Sequence, residues 1–397
     1  MMAAAGAARA GAEVLLLEKN PHLGKKLLIT GGGRCNVTNN KPEVREMLSQ
    51  YKTEGKFLFS TFMQHGVTET LRWLGGQGVV VIEENEGRLF PETQSAKTIL
   101  SALEADMLQQ AVLVRCKAEV TEIEKTAAGF FIHLKSGERI EAKKCIVATG
   151  GTARPETGSS GEGFAWLEKL GHTVRENSFA LVPVTLKTTW TKKVSGVALT
   201  NCKITLFSGG KKHSSVLGKV LFTHVGVTGP TILNMSKTIG ELLSYDSVQL
   251  VLDMFPGVDS AQMQKTFVEL LQNNQNKTIR NALGSLMPIA VAKELLLQCE
   301  IDPETKCHSI PKTQRMQLIA YVKAVPLEVQ GLLGKDKAVV SAGGVDLSEV
   351  DFRTMESKLV PGLFLVGDVL NINRPSGGYS LQLCWSTGAV AGKWAAA

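Results

Sequence analysis

Stretches with different hydrophobic patterns follow one another along the chain. Residues 3–10 are alanine-rich and predict a helix, and Gly11 stands where a helix C-cap belongs. The apolar run 12–17 predicts a strand that ends at Glu18. Helix, turn and strand in this order are typical of the second half of a βαβ unit, so we expect the sequence to open inside the first helix of such a unit. Further helical patterns cover residues 42–51, 67–74 and 93–110.

Short β-rich runs fill residues 112–148. They read VLVRCK, AEVTEIEK, GFFIHL and CIVAT, with the turn signals AAG and SGER between them. Runs of this length separated by turns predict a small meander. The last run leads into the glycine-rich sequence Ala148-Thr149-Gly150-Gly151.

The pattern changes at about Phe179. The runs FALVPVTL, CKITLF, KVLFTH and VQLVLDMF predict strands, residues 261–324 are mostly helical, and α/β character returns after Leu333. The simplest topology is an α/β domain interrupted by an insertion. We therefore predict an α/β domain of residues 1–177 and 336–397, a β-rich insertion of residues 178–260 and 306–335, and a helical part at 261–305.

Composition excludes several classes of protein. Apolar residues make up 44% and charged residues 20%, which is globular composition. No apolar run reaches the ~18 residues that span a bilayer, and the first residues lack the pattern of a signal peptide. The seven cysteines are scattered and never spaced CxxC, which argues against a disulfide framework or a zinc centre. We therefore expect a cytoplasmic protein without a metal site and without membrane or nucleic-acid partners; its net charge of +7 suits an anionic small ligand or reflects a generally basic surface.

Two segments in the first forty residues point to nucleotide chemistry. In a dinucleotide-binding βαβ unit the second strand ends in an acidic residue that binds ribose hydroxyls, and Glu18 stands at that position; the alternative is an exposed glutamate at a strand end. The run Gly31-Gly32-Gly33-Arg34-Cys35-Asn36 suits close approach of the backbone to a flat or phosphorylated ligand, with Lys25 and Lys26 just upstream. The alternative is a glycine-rich surface turn, and a small buried side chain is the expected role of Cys35.

The C-terminal segment carries two further signals. A hydrophobic strand ends in Gly367-Asp368, where the carboxylate is placed to bind a polyol hydroxyl. The pair Gly377-Gly378 then opens a helix whose N-terminus could direct free N–H groups and a positive dipole end at a phosphate or an electron-rich ring edge. Thr149-Gly150 at an earlier strand end completes an ordered set of four signals.

This set resembles FAD-binding oxidoreductases in which two separated halves of the chain form one Rossmann-like domain. More narrowly, the chain is similar to the BaiN-like family of bacterial FAD-dependent flavoproteins, which also contains aminoacetone oxidase-like proteins. The resemblance covers nearly the whole chain. It is carried by LLLEKNPHLGKKLLITGGGRCNVTNN (15–40), ATGG with GSSGEGFAWLEKLGH (148–172), LFTHVGVTGPTILNMS (221–236) and the segment 341–388, which contains TMESK and GGYSLQ.

The resemblance implies an α/β fold with a Rossmann-like FAD-binding domain built from both chain ends, an inserted β-barrel-like part and a helical part. It implies that Glu18 holds the adenosine ribose, that Val120 contacts adenine through its backbone, and that Asp368 binds the ribityl or pyrophosphate region. The full set of cofactor-binding residues predicted in this way is Glu18, Lys19, Lys26, Gly31, Gly32, Gly33, Arg34, Asn36, Val120, Thr149, Gly150, Gly367, Asp368, Gly378, Tyr379, Leu381 and Gln382. Arg34, Asn36 and Tyr379 are the candidate catalytic residues, by position alone.

The start of the chain departs from the family pattern. Family members begin with a strand and a G-x-G-x-x-G loop that cradles the pyrophosphate, whereas this sequence begins at the end of that motif. We therefore expect a parallel sheet without its first strand and a weakened hold on FAD. We also expect Glu18, Gly31–Gly33, Thr149–Gly150, Asp368 and Gly378 to converge on one cleft, covered by the insertion.

The predicted function is flavin-mediated hydride transfer to or from a small organic substrate. NAD(P)H is the expected electron donor, bound transiently because no second complete dinucleotide fingerprint is present; oxygen is the alternative electron acceptor. In the insertion, the loop 223–230 is expected to face the cleft, with His224 either contacting substrate or capping a turn. The alternative function is that of a degenerate, flavin-less nucleotide- or RNA-binding protein.

Overall fold

A computed structural model describes residues 1–175, 181–333 and 343–397. Its contacts divide the chain into two units, Met1–Ala180 with Lys335–Ala397 and Leu181–Gly334. The domain boundaries predicted at 177–178 and 335–336 lie outside the described residues. The helices are α1 (Met2–Arg9), α2 (Val44–Ser49), α3 (Gly55–Gln64), α4 (Val67–Gly76), α5 (Ala96–Gln109), α6 (Glu162–Lys169), α7 (Pro230–Leu243), α8 (Ser260–Asn273), α9 (Ile279–Leu283), α10 (Ile289–Gln298), α11 (Lys312–Lys323) and α12 (Tyr379–Ala396).

The strands are mostly short in the first unit and long in the second. They are β1 (Leu15–Glu18), β2 (Thr38–Asn39), β3 (Val81–Glu84), β4 (Arg88–Pro91), β5 (Leu113–Cys116), β6 (Val120–Lys125), β7 (Phe130–Leu134), β8 (Arg139–Ala142), β9 (Cys145–Val147), β10 (Val174–Arg175), β11 (Val184–Leu186), β12 (Ala198–Ser208), β13 (Lys211–Phe222), β14 (Gly226–Thr228), β15 (Val248–Asp253), β16 (Val325–Leu332), β17 (Gly344–Val345), β18 (Val350–Asp351), β19 (Glu356–Ser357) and β20 (Leu363–Leu365).

The first unit contains two pairs of parallel strands. β1 pairs with β5, with Leu15 opposite Leu113, and β9 pairs with β20, with Cys145 opposite Leu363. In the described part of the chain the two pairs belong to separate sheets. The antiparallel meander is β6-β7-β8 alone. The prediction that the runs VLVRCK and CIVAT belong to it was therefore wrong, because both runs pair instead with strands distant in sequence.

Small residues let the first and last helices approach closely. α1 buries Ala3, Ala4, Ala5 and Ala7, and a Cβ on Gly392 of α12 would lie 2.4 Å from the carbonyl oxygen of Ala3. α1 ends as the sequence predicts, because Gly11 follows it at a φ of +97°. The two ends of the chain are thus packed together within one unit.

The second unit is built around a closed barrel with strand order β11-β14-β13-β12-β15-β16. Alternate residues of each strand point inward, as β15 shows with Val248, Leu250 and Leu252 all buried. Closure leaves no free strand edge. The helices α8 to α11 pack on the same core through residues such as Phe267 and Leu295. The helix α11 agrees with the helical pattern predicted over residues 261–324, although it lies within the stretch 306–335 that was assigned to the β-rich insertion. A Rossmann-like part with an inserted barrel and helices confirms the predicted fold class. No helix among the described residues is long and apolar enough to cross a membrane.

Candidate functional site

The end of β1 holds the Glu18 carboxylate in a fixed orientation. Its Oε1 atom accepts hydrogen bonds of 2.8 Å from both the backbone N–H and the side-chain Nδ2 of Asn20. Asn20 Nδ2 also donates to the carbonyl oxygen of Thr157 at 3.0 Å. Just beyond, the Ala118 N–H donates to the Glu18 carbonyl oxygen, and Val120 begins β6 two residues later. Glu18 is therefore anchored to two loops, and Asn20 is a supporting residue that the sequence analysis missed.

Two lysines bind the loop that follows β9. Lys19 Nζ lies 2.7 Å from Glu162 Oε1 and 2.6 Å from Ser160 Oγ. Lys26 Nζ donates to the Ala153 carbonyl oxygen at 3.0 Å and to Ser159 Oγ at 3.1 Å. These contacts bring two distant predicted segments together at the glycine-rich loop.

Thr149 and Gly150 lie at the base of this loop. Gly150 has a φ of +73°, and a Cβ there would lie 3.1 Å from Ser159 Oγ and 4.0 Å from Lys26 Nζ. The Thr149 side chain fills the space beside Gly163, where a Cβ would lie 2.1 Å from Thr149 Oγ1. Gly150 and Lys26 are therefore neighbours, as the FAD-domain prediction requires.

The glycine run adopts a backbone that other residues rarely take. Gly31, Gly32 and Gly33 have φ values of +56°, +69° and +89°, all in the left-handed region that favours glycine. All three are exposed, and a Cβ on Gly32 would meet nothing within 4 Å. The run therefore presents open backbone that a flat ligand can approach closely.

Three side chains contact the Arg34 guanidinium, and the side chain remains 39% exposed. Its Nη1 atom donates to Glu84 Oε1 at 2.6 Å and to Gln94 Oε1 at 2.8 Å, and its guanidinium lies 4.1 Å from the ring centroid of Phe90. Its neighbour Cys35 is fully buried, and burial raises the pKa of its thiol to about 11. Cys35 is thus the small buried side chain that the sequence predicts.

Asn36 fixes the start of α12. In the orientation that its neighbours require, its amide nitrogen donates to the carbonyl oxygens of Leu89 and Thr38, and its oxygen accepts from the Gly378 N–H at 3.0 Å. Gly378 has a φ of +100°, and a Cβ there would lie 2.4 Å from the Thr38 carbonyl. Only glycine therefore fits at this crossing of the two segments.

The first turn of α12 contains Tyr379, Leu381 and Gln382. Burial raises the pKa of the Tyr379 phenol to about 12, so this group keeps its proton at neutral pH. Leu381 packs against a core cluster. Gln382 is fully buried: it accepts from Thr38 Oγ1 at 2.6 Å and donates to Thr70 Oγ1 at 2.9 Å. The Gln382 side chain therefore connects α12 to its surroundings in the protein interior.

Asp368 forms an ion pair that the sequence analysis did not foresee. Gly367 leaves β20 with a φ of +64°, and the Asp368 carboxylate then pairs with Arg374 Nη2. The Arg374 side chain is 1% exposed; its Nε atom donates to Ser380 Oγ at 3.0 Å and its Nη1 atom to the Ile372 carbonyl at 2.6 Å. Arg374 therefore fixes the orientation of the Asp368 carboxylate.

The pKa of Cys384, on α12, is affected by charged groups from distant parts of the sequence. Burial raises the pKa of the Cys384 thiol to about 12, Asp368 adds to the shift, and Arg374 and Lys26 oppose it. Burial also lowers the pKa of the Met1 amino group to about 6, an effect that the Glu18 carboxylate opposes. Asp368 and Lys26 therefore lie near Cys384 of α12, and Glu18 lies near the start of α1.

In the second unit, His224 is exposed in the turn between β13 and β14. Thr223 closes this turn, because its Oγ1 atom accepts from the Gly226 N–H at 3.1 Å. Thr223 is thus the residue whose side chain closes the turn, and both alternatives for His224 stay predictions. The prediction that this loop faces the flavin concerns the placement of the two units and stays a prediction.

The residues of the first unit suit FAD. Glu18 lies at the carboxyl end of a parallel strand, the glycine run presents open backbone, Lys19 and Lys26 bind the loop after β9, and α12 begins without a side-chain cap. An uncapped helix start leaves N–H groups and a positive dipole end for an anionic or electron-rich group. The arrangement supplies donors and acceptors for ribose, phosphate and ring edge.

Comparison with known proteins places the chain among flavoenzymes. A family model described as HI0933-like protein Rossmann domain matches residues 1–394. The 3-dehydro-bile acid delta(4,6)-reductase of Clostridium scindens is 31% identical over 399 residues, which cover 100% of this chain and 96% of that protein. The ribosomal RNA dihydrouridine synthase of Escherichia coli is 30% identical over 393 residues, which cover 98% and 93% of the two chains.

Solved structures show the same fold at low identity. A flavocytochrome c3 fumarate reductase has a TM-score of 0.53 and 17% identity, over 100% of this chain and 76% of that one. The 3-ketosteroid-delta4-(5alpha)-dehydrogenase of Rhodococcus jostii has a TM-score of 0.52 and 16% identity, over 100% and 94%. These findings confirm the resemblance stated above and leave the flavin-less alternative without support. The chain belongs to the HI0933-like Rossmann-domain family and is an FAD-dependent oxidoreductase.

Proposed function

We propose that the protein reduces a carbon–carbon double bond that is conjugated to a carbonyl group. The observation that carries this proposal is the chemistry shared by two relatives of about equal identity. One is named for the 4,6 double bonds of a 3-oxo bile acid, and the other for saturating uridine, whose C5–C6 bond is conjugated to a carbonyl. The two substrates are otherwise unrelated, so the bond type is the feature to carry over to this chain.

The residues described above have matching roles in this proposal. Glu18 accepts hydrogen bonds from the adenosine ribose, Val120 contacts adenine through its backbone, and Asp368 accepts from a ribityl hydroxyl. Lys26 and the glycine run would line the pyrophosphate and the ring. FAD, when bound and reduced, would supply the hydride. The positive dipole end at the first turn of α12 would stabilise negative charge on the ring.

Of the three candidate catalytic residues, Tyr379 is the one whose side chain can give up a proton, because an amide does not titrate and a guanidinium keeps its proton. Arg34 is engaged by Glu84 and Gln94, and Asn36 is engaged by backbone groups. The Tyr379 phenol, with its pKa raised to about 12 by burial, stays protonated at physiological pH. In a conjugate reduction the hydride goes to one alkene carbon and a proton to the other, and Tyr379 is our proposed source of that proton.

A small organic molecule in the cytoplasm is the substrate that we propose first, with NAD(P)H as a transient electron donor. In the alternative reaction, oxygen is the electron acceptor and reoxidises the reduced cofactor. A second candidate substrate is a uridine of ribosomal RNA. It is favoured by the relative named for that activity and by a concentration of lysines in the inserted barrel.

The test is an anaerobic half-reaction assay on the purified protein. Flavin content is measured first; the bound flavin is then reduced with NADH or NADPH, and its reoxidation is followed after adding a 3-oxo-4-ene steroid, a simple cyclic enone or uridine-containing ribosomal RNA. We expect stoichiometric reoxidation and a saturated product with one class of substrate. Reoxidation by oxygen alone would overturn the proposal.

A further inference from the structure

The net positive charge of this protein arises in one part of the chain. Residues 181–243 contain eight lysines and a single acidic residue, Glu241, whereas the other 334 residues contain 36 basic and 36 acidic side chains. This segment forms the first four strands of the barrel, β11 to β14, and the helix α7. The net charge of +7 is therefore a property of the barrel and not of the whole surface.

Most of these lysines face solvent. Lys187, Lys192, Lys193, Lys203, Lys211, Lys212 and Lys219 are exposed and Lys237 is half-buried. Across the described ranges, Lys193 is the member of this set with an acidic partner, Glu294 at 3.2 Å. A group of cations with few local carboxylates produces a positive field that extends about 8–10 Å into physiological salt.

The hairpin of β12 and β13 shows how the surface is arranged. Ile204 and Leu206 point into the core, so the alternate residues of β12 point outward. On the outward side Lys203 lies opposite Leu217, which is 61% exposed. Next to this pair, Thr205 and Ser215 share a hydrogen bond of 2.7 Å.

The outward row continues to Phe207, which lies opposite Lys212. Lys211 lies opposite the next residue, Ser208, and therefore belongs to the other face of the hairpin. On the other side of β12, Asp253 lies opposite Lys203, but its carboxylate is paired with Lys323 at 2.7 Å. The carboxylate of Asp246 lies beside the turn of the hairpin at Gly209, so the row sets two lysines, Lys203 and Lys212, against this one carboxylate.

We propose that this lysine surface of the barrel binds the phosphate backbone of single-stranded RNA. The inference rests on the second candidate function above, in which an RNA base is the substrate. Every basic residue of the segment is a lysine, and lysines act as point charges toward phosphates without reading base edges. The barrel thus supplies sequence-independent affinity, and base selection falls to the flavin-bearing unit.

The test compares two triple variants that remove equal charge. Lys203→Gln, Lys212→Gln and Lys219→Gln together alter the proposed surface; Lys265→Gln, Lys293→Gln and Lys312→Gln alter exposed lysines on the helices of the same unit. Binding of a fluorescent uridine-rich RNA oligonucleotide is measured by anisotropy over a range of salt concentrations. Each phosphate contact on a single strand contributes about 0.7 to the slope of log K against log salt. The barrel variant should therefore lose about 2 from that slope and at least about tenfold in affinity at low salt, while the helix variant stays near wild type.

Other outcomes overturn the proposal in distinguishable ways. Equal losses in both variants would mean that only net charge matters, and wild-type binding to phosphatidylglycerol vesicles without binding to RNA would assign the surface to a membrane. Flavin content and reduction by NAD(P)H are measured on the same preparations. Normal flavin chemistry without RNA binding would refute the proposed RNA-binding surface but not the proposed reductase activity. Loss of flavin chemistry in the wild type would refute the reductase activity itself.

Discussion

Individual polar neighbours fix the orientation of the two carboxylates in the candidate site. Asp368 and Glu18 are the carboxylates that the sequence identifies, but each is oriented by a neighbour that it does not: Arg374 for Asp368 and Asn20 for Glu18. These partners are invisible in the sequence because an arginine before Pro-Ser-Gly-Gly has the composition of an exposed loop. Its burial follows from the tertiary packing around the start of α12.

Replacing Arg374 by Met should be strongly destabilising. The Arg374 side chain is almost fully buried, so the variant leaves a largely buried carboxylate without its counter-ion, at a cost of about 3–5 kcal/mol. Urea unfolding of the cofactor-free protein measures this cost. The double variant with Asp368→Asn should recover part of the loss, because no unpaired charge remains. A loss below about 1 kcal/mol, the range of exposed pairs, would contradict our account.

His65 should make stability depend on pH. Burial lowers the pKa of its imidazole from 6.5 to about 4, and Glu69 partly opposes this shift. As the pH falls below 6.5, the unfolded chain therefore takes up a proton before the folded protein does. The contribution of this group lowers the free energy of unfolding by about 3 kcal/mol between pH 6.5 and pH 4, and it is constant above that window.

The measurement is a series of urea titrations from pH 7 to pH 4 on the wild type and on His65→Gln. Since glutamine does not titrate, the difference between the two curves isolates the histidine. Parallel curves throughout the window would show that His65 does not behave as a buried neutral group.

At the scale of elements, a buried cluster joins α6 to the β18–β19 hairpin. His172 Nδ1 lies 2.8 Å from Glu349 Oε2, and His172 Nε2 lies 2.9 Å from Ser357 Oγ. The order Ser, His, Glu is that of a hydrolase triad, but Ser357 Oγ also accepts from the N–H groups of Leu359 and Val360. With its oxygen occupied and both Ser357 and His172 buried, the cluster stabilises structure and leads the chain into β20.

Removing this cluster should loosen the segment that precedes Asp368. Ser357→Ala leaves His172 Nε2 and two backbone N–H groups without their partner, at a cost of about 1–3 kcal/mol. The control Ser136→Ala changes an exposed serine and should stay within about 0.5 kcal/mol of wild type. Hydrogen exchange should locate the loss of protection in β18, β19 and β20. Equal protection in both variants would show that the cluster is not needed to hold the hairpin.

Local pattern predicted much of the fold, and pairing between distant segments accounts for most of the rest. Periodicity and capping predict α1, α4, α5 and the barrel strands, since these signals lie within a few residues of each other. The partners of β5 and β9 were missed because a parallel partner is distant in sequence and leaves no local mark. The helical pattern predicted over residues 261–324 contains α8 to α11, whose apolar residues serve the same core as the barrel strands.

The candidate site follows the same rule. Glycines with positive φ and the strand-end carboxylate have sequence signatures, so Gly31–Gly33, Gly378 and Glu18 could be chosen from sequence. The hydrogen-bond partners of Gln382 and Asn36 could not be predicted, because the sequence does not distinguish an amide that bonds to other protein groups from one that bonds to a ligand. In the structure the Gln382 amide contacts Thr38 and Thr70, and the Asn36 amide orients Gly378.

At the scale of the whole molecule, every residue proposed to hold FAD lies in the first unit, and the second unit has its own core. FAD should therefore stabilise the two units unequally. Ligand at 100 times its dissociation constant adds about 2.7 kcal/mol to the unit that binds it. Of the five tryptophans, Trp190 belongs to the second unit and the others to the first.

Tryptophan fluorescence can therefore report on each unit. In Trp190→Phe the remaining signal comes from the first unit, and its melting midpoint should rise with added FAD by several degrees, since about 1 kcal/mol shifts the midpoint of a 150–250-residue unit by 2–4 °C. A second variant that keeps only Trp190, with Trp73, Trp166, Trp385 and Trp394 replaced by Phe, reports on the barrel. The ring centroids of Trp190 and Phe222 lie 5.7 Å apart, so the emission of Trp190 follows unfolding of the barrel. The melting midpoint of this variant should stay within about 1 °C when FAD is added, since FAD adds no free energy to a unit that does not bind it. Equal rises in both variants would mean that the units unfold as one or that FAD also contacts the barrel, and a rise in the barrel alone would place the cofactor in the wrong unit and refute the site described here.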